Sequence, residues 1–215
     1  MHGKYLTVFL MLLVLSVTAF GQMDENVPAP HRFEIGASAF YFHPGLKDFN
    51  GAMTNLEGKF GLPYWKDMNV YYLVLPSIAY RYDSRNVIGL QAGGSVAVRQ
   101  RDDSRSYYAI WMAGAEYRHQ PFAGLTPFGQ LWVSAGVGGV IADFRRSYGD
   151  GIAIDALGRK IYFDFGVEFR HELTNRLSVG VDLRYLFVPT MNFGDIQTSL
   201  ALKSFAAGGG IYYTL

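Results

Sequence analysis

The chain has 215 residues, a formal net charge of +1 and no cysteine. That length suits one ordinary domain, the near-neutral balance gives no field to gather nucleic acid, and the missing cysteine excludes a disulfide framework, a thiolate metal site, a Cys nucleophile and a lipidated Cys. Charged residues make up 17% against roughly 25% in an average soluble domain, while aromatics reach 16% and glycines number 25.

The first 21 residues, "MHGKYLTVFLMLLVLSVTAFG", hold one lysine, an apolar run from Tyr5 to Val17 and the small-residue exit Ala19-Phe20-Gly21. This is the pattern of a cleaved secretory signal peptide, and the run is short for the about 20 residues of a spanning helix. Residues 22–31, "QMDENVPAPH", form a polar, proline-bearing leader. From Arg32 to Leu215 a single domain is expected. It reads as eight segments of period-two alternation broken by turn residues: Arg32–Phe42, Asn69–Tyr82, Asn86–Gln100, Ser106–His119, Thr126–Arg145, Lys160–Glu172, Arg176–Val188 and Lys203–Leu215.

Helical spacing occurs once, in "DFNGAMTNLEGKFG". There Phe49, Ala52, Met53, Leu56 and Phe60 share a face, Asp48 is placed as N-cap and Gly61 as stop. Connections alternate in length: the first, third-from-last and last are long (His43–Met68, "RSYGDGIAIDALGR" and "PTMNFGDIQTSLAL"), and those between are short. The pattern predicts an up-and-down meander with a short-turn end and a long-loop end.

Alternation does not by itself say which face is inside. Three features point to a polar interior. The polar face mixes small residues with charges, as a crowded lumen requires, and the six lysines are expected in the leader, in loops or at strand ends. Its charges balance: Glu34, Glu116, Asp164, Glu168 and Asp182 against Arg81, Arg99, Arg118, Arg170 and Arg184. Buried ions need partners, and the planar guanidinium suits that role. Aromatics bound the apolar face, with Tyr80, Tyr82, Tyr117, Phe169 and Tyr213 toward the short turns and Tyr107, Tyr162, Phe163, Tyr185 and Phe187 toward the long loops, as in the girdles of a membrane barrel. The fold expected is all-β, an eight-stranded antiparallel up-and-down transmembrane β-barrel with one short amphipathic helix in its first long loop. In lipid every backbone group must be paired, so the sheet must close.

The segments "TPFGQLWVSAGVGGVIADF", "DFGVEFRHELTNRLSVGVDLRYLF" and "AAGGGIYYTL" resemble the small eight-stranded outer-membrane barrels of Gram-negative bacteria, such as OmpA-type transmembrane domains. The resemblance covers most of Arg32–Leu215 and implies an outer-membrane location, short turns in the periplasm and long loops outside the cell. It also implies that the last strand is read by the barrel-assembly machinery, a role that Gly210, Tyr213 and Leu215 match, although the final residue is Leu rather than the usual Phe. Lipid and lipopolysaccharide of that membrane are the implied surroundings.

Some barrels of this size modify lipid A with a Ser-His-acid group. His31, His43, His119 and His171 show no such spacing, and His119 and His171 belong to the short-turn end, far from the outer leaflet. No enzyme activity, cofactor, metal site or nucleic-acid partner is expected. "RDDSR" (Arg101–Arg105) reads as a hairpin tip and "GVGG" (Gly136–Gly139) as a smooth wall. The first-loop helix, with Phe49, Met53, Leu56, Phe60 and Trp65, is the binding candidate, either as a lid on the mouth or as a surface for a small apolar ligand or an extracellular protein. The expected role is envelope integrity or surface interaction by a barrel with a filled, salt-bridged lumen. The alternatives are an OmpW-like conduit for small apolar molecules and a lipid A-modifying enzyme.

Overall fold

The computed structural model describes residues 32–42, 47–62, 71–101, 103–122, 129–149, 151–193 and 198–215, without the side chains at 47–49, 71, 101 and 198–202. The expected signal peptide and leader, His31, His43, Asp102, Trp65 and the Asp48 and Phe49 side chains lie outside that description. The alternating segments become β1 (Arg32–Phe42), β2 (Tyr71–Arg81), β3 (Asn86–Arg101), β4 (Ser104–His119), β5 (Gln130–Ser147), β6 (Ala153–Glu172), β7 (Leu177–Phe193) and β8 (Thr198–Thr214), with a helix, α1 (Lys47–Phe60), after β1. Each strand pairs antiparallel with its neighbours in sequence, and β8 closes on β1. No described helix is long and apolar enough to cross a membrane.

The register fixes the barrel's geometry. Following hydrogen-bond partners from Ile35 through Ile78, Leu90, Ala115, Val137, Phe163 and Phe187 arrives at Lys203, whereas β1 pairs Ile35 with Tyr213. That offset is the shear that tilts the strands, by roughly 35–45° in barrels of this kind. Pro76 has no N–H to give, and the β2–β3 ladder is interrupted there, between Val74↔Gly94 and Ser77↔Gln91.

The short-turn end is held by side-chain caps. Asp83 Oδ1 accepts from the backbone N–H groups of Arg85 and Asn86, both at 2.7 Å. Thr174 Oγ1 accepts from those of Arg176 and Leu177 at 3.2 and 2.9 Å. Helix α1 stops where the sequence placed its stop. Gly61 has φ +66°, and the Leu62 N–H donates to the Glu57 carbonyl at 2.8 Å, closing a Schellman turn.

The long-loop end differs from the expectation. Of the three long connections only the first, which carries α1, is a true insert. "RSYGDGIAIDALGR" is mostly strand: β5 runs to Ser147, β6 starts at Ala153, and a tight turn with Gly151 at φ +76° joins them. "PTMNFGDIQTSLAL" is likewise mostly β7 and β8. Alternating Ile154, Ala156 and Gly158 against Ala153, Asp155 and Leu157 supports pairing that the glycines and aspartates disguised. The strands therefore run on as tall hairpins, and Lys160 and Lys203, expected at strand ends, lie inside β6 and β8. At the other end, the β4–β5 connection is longer than expected, because β5 begins at Gln130. Two neighbour pairs do not follow the overrun. Among the described residues the β2–β3 ladder ends at Val74↔Gly94. β6 and β7 pair only up to Phe163↔Phe187, and β7 is irregular between Val188 and Met191, around Pro189.

The apolar face is outside. Val181 is 70% exposed and Leu183 52%, while Asp182 and Arg184 between them are 1% and 7% exposed. In water this outer band would cost about 25 cal/mol per Å²; lipid removes that cost. Tyr162 is a correction to the girdle: it has the lumen parity of Asp164 and Gly166 and is buried.

Candidate functional site

The lumen is filled in two tiers. The tier toward the short turns is ionic. Glu34 on β1 bridges two arginines, Arg118 at 2.8 Å and Arg170 at 2.6 Å. Arg170 is also held by Glu168, two residues back on the same strand, through a fork of bonds at 3.1 and 3.0 Å. Arg118 reaches Glu116 at 3.7 Å. Arg184 is the other hub: it meets Asp182 at 2.7 Å, Glu116 at 2.9 Å, the Gln91 side-chain oxygen at 3.0 Å and Asp164 at 3.6 Å. The Gln91 amide donates to Asp164 at 3.2 Å. All of these side chains are buried, and such pairs persist only when the remaining lone pairs and protons find partners.

Period-two geometry placed eight of the ten expected charges in this network. Arg81 is half-buried at its edge, its guanidinium 5.2 Å from the Trp132 ring centre. Arg99 is a correction. It is exposed near the tall end of β3, where it pairs with Ser106 of β4 and where, among the described residues, the β2–β3 ladder has already ended at Val74↔Gly94. Asp182 takes its arginine, Arg184, from its own strand, two residues on.

The sequence reading missed the aromatic half of this tier. Tyr212 lies under Arg170, with 3.6 Å from guanidinium to ring centre, and shares a 2.9 Å hydrogen bond with Ser38. Trp132 is stacked by both Arg81 and Arg170. Rings over guanidinium groups supply attraction that needs no further carboxylate. Parity with Ser134 and Gly210 was the available signal. Glycine supplies the space: a Cβ on Gly136 would collide with the Asp164 carboxylate, and one on Gly180 with that of Glu168.

The tier toward the tall end is apolar. Phe40, Tyr108, Ile110, Val140, Phe144 and Phe193 are among the buried residues that pack across it. Arg184 joins the tiers, its guanidinium 5.0 Å from the Phe40 ring centre. Helix α1 closes this tier. Met53 is buried in it and Leu56 packs against it. Phe60 is 58% exposed, a correction to the expected face. The helix is turned toward its polar edge and buries Asn50, Met53 and Glu57, because the wall offers Glu57 its partners. Glu57 is ion-paired with Arg146 on β5 and accepts from the Tyr148 hydroxyl at 2.8 Å, and Arg146 also donates to Tyr108. Burial, and then the Glu57 carboxylate, push the Tyr148 phenol above its ordinary value, so it remains a donor. This buried latch spans 89 residues of sequence and had no local signal.

The remaining candidates fall at the ends. His119 Nδ1 lies 2.7 Å from Asn86 Oδ1 beside the short turns, and His171 is exposed there. In the last strand Gly210 faces inward against Ser38 and Tyr212, while Tyr213 and Leu215 face outward at 42% and 63% exposure.

No protein-family model matches the chain, and no curated protein matches it. Among solved structures it resembles the crystal structure of Neisserial surface protein A, with a TM-score of 0.53 at 10% identity over 87% of this chain and 98% of that one. Fainter likenesses are Ail, the attachment invasion locus protein of Yersinia pestis (TM-score 0.48, 10% identity, 85% and 97% covered), and the N-terminal β-barrel domain of Pseudomonas aeruginosa OprF (TM-score 0.44, 13% identity, 85% and 97% covered). The first of these establishes the fold, that of the small eight-stranded outer-membrane barrels, and at this identity establishes nothing of activity.

Proposed function

We propose that the chain is exported through a cleaved signal peptide to the outer membrane, where it acts without catalysis as a sealed barrel. Its tall hairpins and the α1 lid serve envelope integrity or surface contacts. The observation that carries this reading is the doubly filled lumen, ionic below and apolar above, with Met53 and Glu57 of α1 holding the mouth shut. An eight-stranded barrel is just wide enough for its side chains to fill. Gly210, Tyr213 and Leu215 are the residues proposed for recognition by the assembly machinery. Refolded protein in planar bilayers tests the seal: conductance near the bilayer baseline supports it, and a large stable conductance overturns it.

A second reading draws on the apolar upper tier: an OmpW-like binding protein for small apolar molecules, entered by displacement of α1. It predicts that Met53→Asp changes the binding of an apolar fluorophore to refolded protein. The same fluorescence in both proteins would remove it. The lipid A enzyme reading gains no support from His119 or His171, and a lipid A mass spectrum unchanged by overexpression would close it.

A further inference from the structure

Exposed cations occur on several strands of the wall, Arg145 on β5 among them, where it is paired with Asp143; Arg159 and Lys160 on β6 differ in standing over an apolar groove. On β6, Arg159 and Lys160 are exposed; on β8, Lys203 is exposed with its Nζ 5.5 Å from the Phe187 ring centre. Arg159 lies ten positions above Phe169 of the lower aromatic girdle, about the 9–11 residues that a tilted strand needs to cross the apolar layer. Arg159 and its neighbour Lys160 therefore stand at headgroup height. Below them the wall carries an apolar groove of about 1060 Å³, floored by Ala113 and Gly139 and walled by Trp111, Ile141, Ile161 and Phe163, with Arg159 and Lys160 at its rim.

The groove runs to one of the places where the described barrel wall is incomplete. Among the described residues, β6 above Phe163 and β7 above Phe187 form no ladder with each other, and Pro189 stands at that edge. Lys160 has lumen parity but is exposed there, since no β7 residue pairs with it. Unpaired strand edges at lipid depth need polar partners. Neighbouring cations over an apolar groove match one chemistry, a phosphate attached to an acyl chain.

We propose that this β4–β6 face binds a phosphate-bearing lipid of the surrounding membrane, with an acyl chain in the groove over Gly139 and the phosphate at Arg159 and Lys160. The proposal rests on the membrane reading above. Trp111 in the groove is its reporter. Trp65→Phe and Trp132→Phe leave Trp111 as the one tryptophan, and the protein is refolded into vesicles of phosphatidylcholine with increasing brominated phosphatidylglycerol or brominated phosphatidylcholine.

Each nearby cation enriches anionic lipid about fivefold, so Trp111 should reach half-quenching at an at least about fivefold lower fraction of the brominated anionic lipid. The Arg159→Gln/Lys160→Gln variant should abolish that preference. So should Gly139→Leu, which fills the floor at a position where a Cβ meets nothing within 4 Å. Equal quenching by the two lipids overturns the lipid site and leaves the barrel standing. Absence of quenching by either one overturns the membrane reading itself. Native mass spectrometry of the unmutated protein gives an independent count: a retained anionic lipid supports the site, and none retained beyond the zwitterionic control contradicts it.

Discussion

Arg184 is the position whose loss the lumen should tolerate least. Its guanidinium serves Asp182, Glu116 and Gln91 within 3.0 Å, and Asp164 at 3.6 Å. Replacing it with methionine keeps much of the aliphatic stem but leaves three carboxylates facing one another without their cation. Breaking one buried pair costs about 3–5 kcal/mol, and Arg184→Met breaks more than one, so about 4 kcal/mol is a lower expectation. Arg184→Lys keeps the charge but loses the fork that reaches several oxygens at once, and should fall between. Removing one of the stranded charges tests the cause. Adding Asp182→Asn to Arg184→Met should recover about 1–3 kcal/mol, the coupling expected of residues in one network. Urea unfolding of the refolded barrel in vesicles, followed by tryptophan fluorescence, measures each value. If Arg184→Met costs less than about 1 kcal/mol, or the added Asp182→Asn makes it worse, the lumen is hydrated and the buried-network argument is wrong.

Other positions separate the parts of the account. Gly136→Ala should destabilise by about 1–3 kcal/mol through overpacking against Asp164, while Gly139→Ala on the open outer face should stay within about 0.5 kcal/mol; equal effects would mean that the inward glycines are not making room. Glu57→Gln weakens the latch, and α1 should then be cut faster by added protease while the barrel core survives; an unchanged rate would show the helix held by packing alone. Val181→Arg should cost about 2–4 kcal/mol in vesicles if that position lies near mid-membrane, where an exposed site in water would cost almost nothing.

Much of the fold was legible because side-chain period in a strand is fixed at two. Once Asp182 and Arg184 were assigned inward, Val181 and Leu183 had to face out, and the same count placed Glu34, Glu116, Asp164, Glu168 and Arg170. It would have turned Tyr162 inward too, had the parity been applied to aromatics as strictly as to charges. What local pattern cannot show is how far each neighbour reaches. Arg99 has lumen parity, yet the paired part of β2–β3 stops below it. The hairpin around Gly151 read as loop because Gly and Asp are common turn residues, although its pairing depends on alternation across both arms. The rotation of α1 was hidden for a different reason. Apolar spacing favoured Phe49 and Phe60, but the helix settles where Glu57 meets Arg146, a partner distant in sequence.

The central claim is that the barrel is turned inside out relative to a soluble protein, and the absence of native cysteine makes it directly measurable. Single cysteines at outward Val181, Leu183 and Ile211, and at inward Ser38, Ser134 and Ser178, are introduced and the proteins refolded into vesicles. The account predicts that spin labels on the outward set relax with lipid-soluble oxygen and not with a water-soluble nickel chelate, while the inward thiols stay unreactive to a polar maleimide until the barrel is unfolded. Nickel relaxation across the outward set, with rapid labelling at Ser38, Ser134 and Ser178, would contradict it.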